Sequence, residues 1–436
     1  MKYPLAKRVE CVDTLHGVEV ADPYRWLEDA ERLESRAWVD AQNALTRAVL
    51  DEASRDSLVQ KLRAAYDCPR TTSFVRRGGR EFFTSNPGLL NQSILYVRDA
   101  GSTGPRALID PNILTPDGTT ALTAYFPSDD GRFVAYALSA HGSDRQEIRV
   151  LEVRHTPELQ EAAQRADRLL WVKFASVAWT KDARGFFYLR FPQPGSVAPE
   201  DEQYFGRVYF HRLGEPQSED LLVFETPERK DVVPLVAVSH TGRWVVITAQ
   251  RGASDESEVY VAEAGSRTWD AGIWKPVFTG FDAAYQFIDE ARGRLLFRTT
   301  ARAPMGRIVS IDPQHPQRDI QEVVAESGDR LSLTAMTRDA IVASFLHNAS
   351  DRVRAFDLDE RGSVRTVHES HLPAMGSLVT LDATPDDDEI RVVWTSFTDP
   401  PKPLTLLADA PGAEAHALQS RYETRQVRYP SKDGTP

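Results

Sequence analysis

The chain has 436 residues, 41% hydrophobic and 27% charged, an ordinary balance for a folded globular protein and too long for one small domain. Its 64 acidic and 52 basic residues give a formal net charge of −12, whose average field repels a nucleic-acid backbone. No apolar run reaches the roughly 18–20 residues a bilayer span requires, so neither nucleic acid nor membrane is an expected partner.

The N-terminus, Met1 to Arg8, lacks the apolar stretch of a secretory signal, which predicts a cytoplasmic protein. The two cysteines, Cys11 and Cys68, are too few and too far apart to form a disulfide framework; reduced thiols used for packing are expected. Asp22-Pro23 reads as a helix start, an acceptor at the cap followed by proline in the first turn. Beyond it Leu33, Ala37, Trp38, Ala41, Leu45 and Val49 recur at three- and four-residue spacing, as do Leu58, Leu62 and Tyr66 before Pro69. These spacings predict amphipathic helices that need a surface to pack against.

From Phe74 onward the period becomes two, and a polar turn followed by an alternating strand recurs. Its marks are Gly79, Gly131, Gly185, Gly242, Gly293, Asp339 and Asp388, with steps between 46 (293 to 339) and 57 (185 to 242) residues. Seven units at a period near fifty predict a mainly β fold, a seven-bladed β-propeller with four strands per blade, preceded by the N-terminal α-helical segment. One blade cannot cover both its faces, so neighbouring blades must do so.

Several stretches resemble one family. Asp22-Pro23-Tyr24-Arg25-Trp26-Leu27-Glu28-Asp29, followed by Trp38-Val39-Asp40-Ala41-Gln42-Asn43, is similar to the entry segment of prolyl oligopeptidases. The runs 89–96, 110–119, 138–144 and 173–180 continue the likeness in order, and Tyr429-Pro430-Ser431-Lys432-Asp433-Gly434-Thr435 resembles the family's passage from propeller to hydrolase domain. The resemblance implies a serine peptidase that cleaves short peptides after proline, its propeller covering an α/β-hydrolase domain and excluding folded proteins. It also implies that no strand is shared between first and last blades, which permits opening. The expected domains are a helical segment at 1–70 that would pack on a hydrolase domain, a propeller at 71–427, and at 428–436 the start of a missing peptidase domain.

In the family the catalytic serine, aspartate and histidine all lie beyond the position matching Thr435, and no Gly-x-Ser-x-Gly elbow occurs in the 436 residues. No catalytic residue is therefore expected here, and the chain alone is expected to be inactive. His368 and His371 are spaced three apart, as for a metal pair on a helix, but no further ligand cluster accompanies them. P-loop, dinucleotide and His-Glu-x-x-His motifs are absent too, so neither cofactor nor metal is expected. Two propeller residues are candidates for substrate contact. Phe174 falls where the family places an aromatic residue reaching into the substrate pocket; the alternative is a blade-core phenylalanine alternating with Val172 and Ser176. Arg251 lies near, but displaced from, a family arginine that holds a substrate carbonyl; the alternative is a solvated loop arginine. The chain thus reads as the gating, size-filtering part of a proline-specific peptidase whose partners are short proline-containing peptides and a hydrolase domain. Its alternatives are a stand-alone propeller binding module, or the non-catalytic chain of a two-chain peptidase.

Overall fold

The computed structural model describes residues 2–30, 32–52, 54–154, 164–265, 269, 271–370, 372–407 and 424–435. The chain divides into two units, Met1–Cys68 and Pro69–Pro436.

In the first unit a hairpin pairs Val12–Leu15 with Val18–Ala21, and two helices follow, α1 (Leu33–Leu50) and α2 (Ser54–Tyr66). The expected helix at Asp22-Pro23 is only a single 3-10 turn, Arg25–Leu27. Two interactions stop it there. The Asp22 carboxylate is held by Arg25 Nε at 2.6 Å. Trp26 turns inward, donating its indole N–H to the Lys7 carbonyl while its own carbonyl accepts from the Ser35 hydroxyl. Both helices leave their apolar positions open: Leu33 is 85% exposed, and Leu58, Leu62 and Tyr66 are all exposed on α2. A helix bares such a row only when its stability comes from elsewhere.

The second unit is a ring of seven antiparallel sheets whose strands fall within 70–109, 121–172, 177–224, 232–278, 285–324, 330–370 and 377–407, blades 1 to 7. Among the described residues six sheets have four strands and blade 7 has three, each laid down as a simple meander. In every blade the recurring turn read from the sequence joins the first strand to the second. First strands of successive blades lie against one another and line a central cavity.

Alternation along each strand sends one row of side chains to each neighbouring blade, and apolar clusters fill the joints. Phe82 and Leu95 of blade 1 meet Val134 and Tyr136 of blade 2; Ala135 and Ile148 of blade 2 meet Phe186 and Tyr188 of blade 3. The same holds through blade 6, where Val342 and Val353 meet Ile390 and Val392 of blade 7. Among the described residues no such cluster bridges blade 7 to blade 1. That joint is crossed by ion pairs: Arg76 Nη1 to Asp387 Oδ2 at 3.1 Å and to Glu389 Oε2 at 2.9 Å, and Arg391 Nη1 to Glu81 Oε1 at 3.3 Å. Among the described residues no strand is shared across it.

The first-to-second-strand turns also touch around the ring. A side chain at Gly78 (φ 56°) would fall 2.0 Å from the Asp130 carbonyl, and one at Gly131 (φ 67°) 2.6 Å from that of Arg77, so both positions admit only glycine. Further round, Lys181 pairs with Asp129 at 3.1 Å, the His240 N–H donates to Asp289, Arg292 pairs with Asp339 at 2.7 Å, and the Arg338 N–H donates to the Asp387 carbonyl.

Blades 2 and 3 share a buried polar knot. His211, fully buried, donates through Nδ1 to Asp220 at 2.7 Å and through Nε2 to Asp167 at 3.1 Å; the Tyr188 hydroxyl donates to the other Asp220 oxygen at 2.6 Å. Burial alone would lower the His211 pKa, but hydrogen bonds to both carboxylates outweigh it and lift the group from 6.5 to about 9. A folded-state pKa above the unfolded one stabilises fully below pH 6.5, and that stabilisation is lost as pH rises through 9. Urea melts at pH 6.5 and 9.5 are expected to show the parent losing on the order of 2–3 kcal/mol across this window. His211→Asn, which leaves two buried carboxylates facing each other, should be weaker at pH 6.5 by about 3–5 kcal/mol and lack that fall. At the blade 7–blade 1 joint, the double variant Arg76→Gln/Arg391→Gln should speed hydrogen exchange in strand Arg70–Arg77 roughly tenfold and leave strand Trp244–Arg251 unchanged. Equal exchange in both proteins would mean that the ion pairs do not hold the ring shut.

Candidate functional site

The propeller has two ends. At the turn end, a cavity of about 360 Å³ is lined by Arg77, Asp129, His240, Asp289 and Asp382 among apolar first-strand residues. Burial pushes the carboxyls of Asp289 and Asp382 above the usual carboxylate range; for Asp289 this overrides hydrogen bonds from the His240 and Glu290 N–H groups. His240 Nε2 lies 3.3 Å from Asp386. This end is a polar constriction whose Thr384 hydroxyl lies 3.5 Å from Asp386.

At the opposite end the first strands begin and the second-to-third-strand loops project. Both candidate contact residues lie here. Phe174 follows the outer strand of blade 2, Gln164–Val172, and precedes the first strand of blade 3, Val177–Trp179. It is not in an alternating strand, as its blade-core reading requires: Trp171 (φ 60°) and Phe174 (φ 50°) are both left-handed and break the period. The Ala175 N–H is pinned by Gln146 Oε1 at 3.0 Å and the Phe191 N–H by the Trp171 carbonyl at 2.8 Å. The Phe174 side chain is left 64% exposed. An exposed aromatic on an anchored loop is a contact group looking for a partner.

Arg251 ends the second strand of blade 4, Trp244–Arg251. It is no free loop arginine: Nε lies 3.3 Å from Asp231 Oδ2, and the guanidinium sits 4.6 Å from the Phe281 ring centre. No contact joins it to Phe174. Its neighbour Gln250, on the other face of the strand, lines a cavity of about 530 Å³ with Arg298 and Asp255. Reading the sequence by residue type overlooks Gln250; the signal was strand alternation, which assigns 250 and 251 to opposite faces.

Beside Phe174 lies a cavity of about 460 Å³ whose lining includes Arg145, Glu202, Trp171, Lys173 and Phe191. Lys173 is only 5% exposed, its ammonium 5.8 Å from the Phe191 ring centre, and among the described residues it has no hydrogen-bond or ion-pair partner. Burial lowers its pKa. The sequence hint was a lysine closing the apolar run Leu169-Leu170-Trp171-Val172.

Elsewhere, His368 lies on a strand, Val364–Ser370, and not on a helix; its Nε2 is 3.1 Å from Asp357. His371 lies outside the described residues. The Thr119 hydroxyl meets His141 at 3.0 Å, but Asp117 approaches the same ring nitrogen at 3.8 Å, so no acid orients the ring from behind to make a relay. No helix among the described residues is long and apolar enough to cross a membrane.

Residues 3–414 match the family described as prolyl oligopeptidase, N-terminal beta-propeller domain. The prolyl endopeptidase of Elizabethkingia meningoseptica is 29% identical over 446 residues, covering 100% of this chain and 60% of its own length. Among solved structures, one from a mechanistic study of two prolyl endopeptidases is 34% identical with a TM-score of 0.72, covering 99% of this chain and 62% of that one. Prolyl oligopeptidase B of Galerina marginata, bound to a 35-residue hydrolysis and macrocyclization substrate, is 25% identical with a TM-score of 0.83, covering 100% and 64%. The chain spans about 60% of the length of the curated relatives it matches.

Proposed function

Because this chain belongs to the prolyl oligopeptidase N-terminal β-propeller family, we propose that it is the N-terminal and propeller part of a serine peptidase that cleaves short peptides after proline. The observation that carries the reading is the ordered match over residues 3–414, which reaches the two-helix segment as well as the blades. In this reading the helices turn their bared apolar rows to an α/β-hydrolase domain, which supplies the nucleophile, base and oxyanion site. The propeller excludes folded proteins and opens where the ring is held by charge.

Phe174 is the substrate contact on the propeller side, an aromatic anchor whose ordering cost the loop has already met. Arg251, bound to Asp231 and Phe281, is the weaker candidate, since a substrate carbonyl must compete with a carboxylate already in place. A stand-alone binding module would leave Leu33, Leu58, Leu62 and Tyr66 in water, which disfavours that alternative.

The reading is tested by joining the chain to the part of the Elizabethkingia meningoseptica enzyme beyond its matched region. The chimera should hydrolyse a carbobenzoxy-Gly-Pro reporter, whereas the 436-residue chain should not. In the chimera Phe174→Ala should raise KM about tenfold with kcat within about twofold, while Arg251→Gln should change KM by less than about threefold. Hydrolysis by the chain alone, or a chimera indifferent to proline, would overturn the proposal.

A further inference from the structure

We propose that the cavity between blades 2 and 3 beside Phe174 is a carboxylate-binding pocket centred on Lys173, and that it takes the C-terminal carboxylate of a short peptide. The inference rests on the peptide-binding reading above and adds a recognition element to the same face.

The charges of the lining are unequal. In the lining, Arg145, Arg149, Arg168 and Lys173 face two carboxylates, Glu147 and Glu202, with Asp144 acting on Lys173 from beyond it and forming no ion pair with it. Those two are already engaged. Glu202 takes Arg145 at 2.6 Å and the Gly195 N–H at 3.1 Å; Glu147 takes Arg149 Nε at 2.6 Å and Arg168 Nε at 2.7 Å. Lys173 is the cation left over, and it is the most buried of the four. The hydroxyls nearby are also spent, Ser139 on the Ser143 carbonyl and Thr115 on Thr120.

A largely buried ammonium with no hydrogen-bond acceptor from the protein is costly, because it has exchanged most of its contact with water for an apolar wall. An arriving anion restores what burial removed, and a site that holds an unpaired charge ready spends no reorganisation when the ligand binds. The rest of the wall sets the kind of anion. Leu138, Leu170, Trp171, Val172 and Phe191 are apolar, so the body carrying the charge should be apolar too. A single free cation suits a singly charged carboxylate; a phosphate would need more donors than remain. Lys173 and Phe174 are adjacent in sequence, one turned into the cavity and the other out over the face. A peptide stacked on Phe174 can therefore seat its terminus on Lys173 only if few residues separate the two groups, and longer chains lose that anchor.

Calorimetry with the 436-residue chain tests this with four probes: N-acetyl-Gly-Pro-Leu as the free acid, its C-terminal amide, N-acetyl-Gly-Ala-Leu acid, and inorganic phosphate. The parent should bind the Gly-Pro-Leu acid roughly tenfold tighter than the amide, and Lys173→Met should erase that preference. An amide carrying an internal glutamate that regains the affinity, and loses it in Lys173→Met, would support the carboxylate site with a side chain as its source. Lys173→Met also removes an unpaired buried charge, so its melting temperature should equal or exceed the parent's. A lower melting temperature would show the ammonium to be structural and would overturn the proposal. So would equal affinity for acid and amide, an acid preference that survives Lys173→Met, tighter binding of phosphate than of peptide, or no binding at millimolar concentration. The proline comparison separates the two readings. Acid preference without proline preference sinks the proline-peptide reading and leaves the pocket; proline preference without acid preference does the reverse.

Discussion

A β-sheet blade has two apolar faces and cannot cover either alone, so a ring of blades stands only if each finds a neighbour on both sides. Six joints of this ring meet that demand with interdigitated aliphatic and aromatic side chains, and most of the burial that stabilises the unit lies there. The seventh meets it with Arg76, Arg391, Glu81, Asp387 and Glu389. Apolar burial is not screened by salt, whereas partly exposed ion pairs are. Ion pairs also cross other joints, as Lys181 to Asp129 and Arg292 to Asp339, but there they supplement an apolar cluster, whereas at this joint no such cluster stands beside them among the described residues.

The two ends of the ring are built by opposite rules. At the turn end, backbones approach so closely that Gly78 and Gly131 can carry no side chain, and polar contacts tie the turns of neighbouring blades. At the other end the chain departs from the strand period, through left-handed residues at Trp171 and Phe174, and exposes Phe174 while burying Lys173 just before it. The closed, geometrically strict end holds the blades in register. The open end is where variation in loop conformation can create a site without disturbing the core.

The ring was legible because its signal is repeated. A polar turn followed by period-two alternation recurs at every blade, with glycine at positive φ in blades 1, 2, 4 and 5, so weak copies such as that at Asp339 are carried by strong ones. The site was less legible because nothing in it repeats. Phe174 is singled out by resemblance alone, and its blade-core alternative fails because alternation does not survive two left-handed residues. Arg251 was judged by its distance along the chain, while its real constraints, Asp231 and Phe281, come from other strands. Lys173 stood in plain view, but a lysine becomes remarkable only once the burial and engagement of its neighbours are known. At Asp22-Pro23 the expected cap does not form: the single 3-10 turn begins after Tyr24 without a side-chain cap, and Trp26 turns inward to the Lys7 carbonyl.

The meander order of the sheets has a consequence for how such a chain is made. Each blade is completed from one contiguous stretch, and each apolar joint needs only the next stretch to appear, so the ring can assemble in step with synthesis from blade 1 onward. The exception is Arg76, whose partner Asp387 is 311 residues away in the chain. Until the ribosome has delivered that residue, the nascent molecule is an open arc with the stacked rings of Phe74, Phe83 and Tyr96 on blade 1. Folding quality control in the cell would meet this arc, and not the finished ring, until blade 7 has emerged.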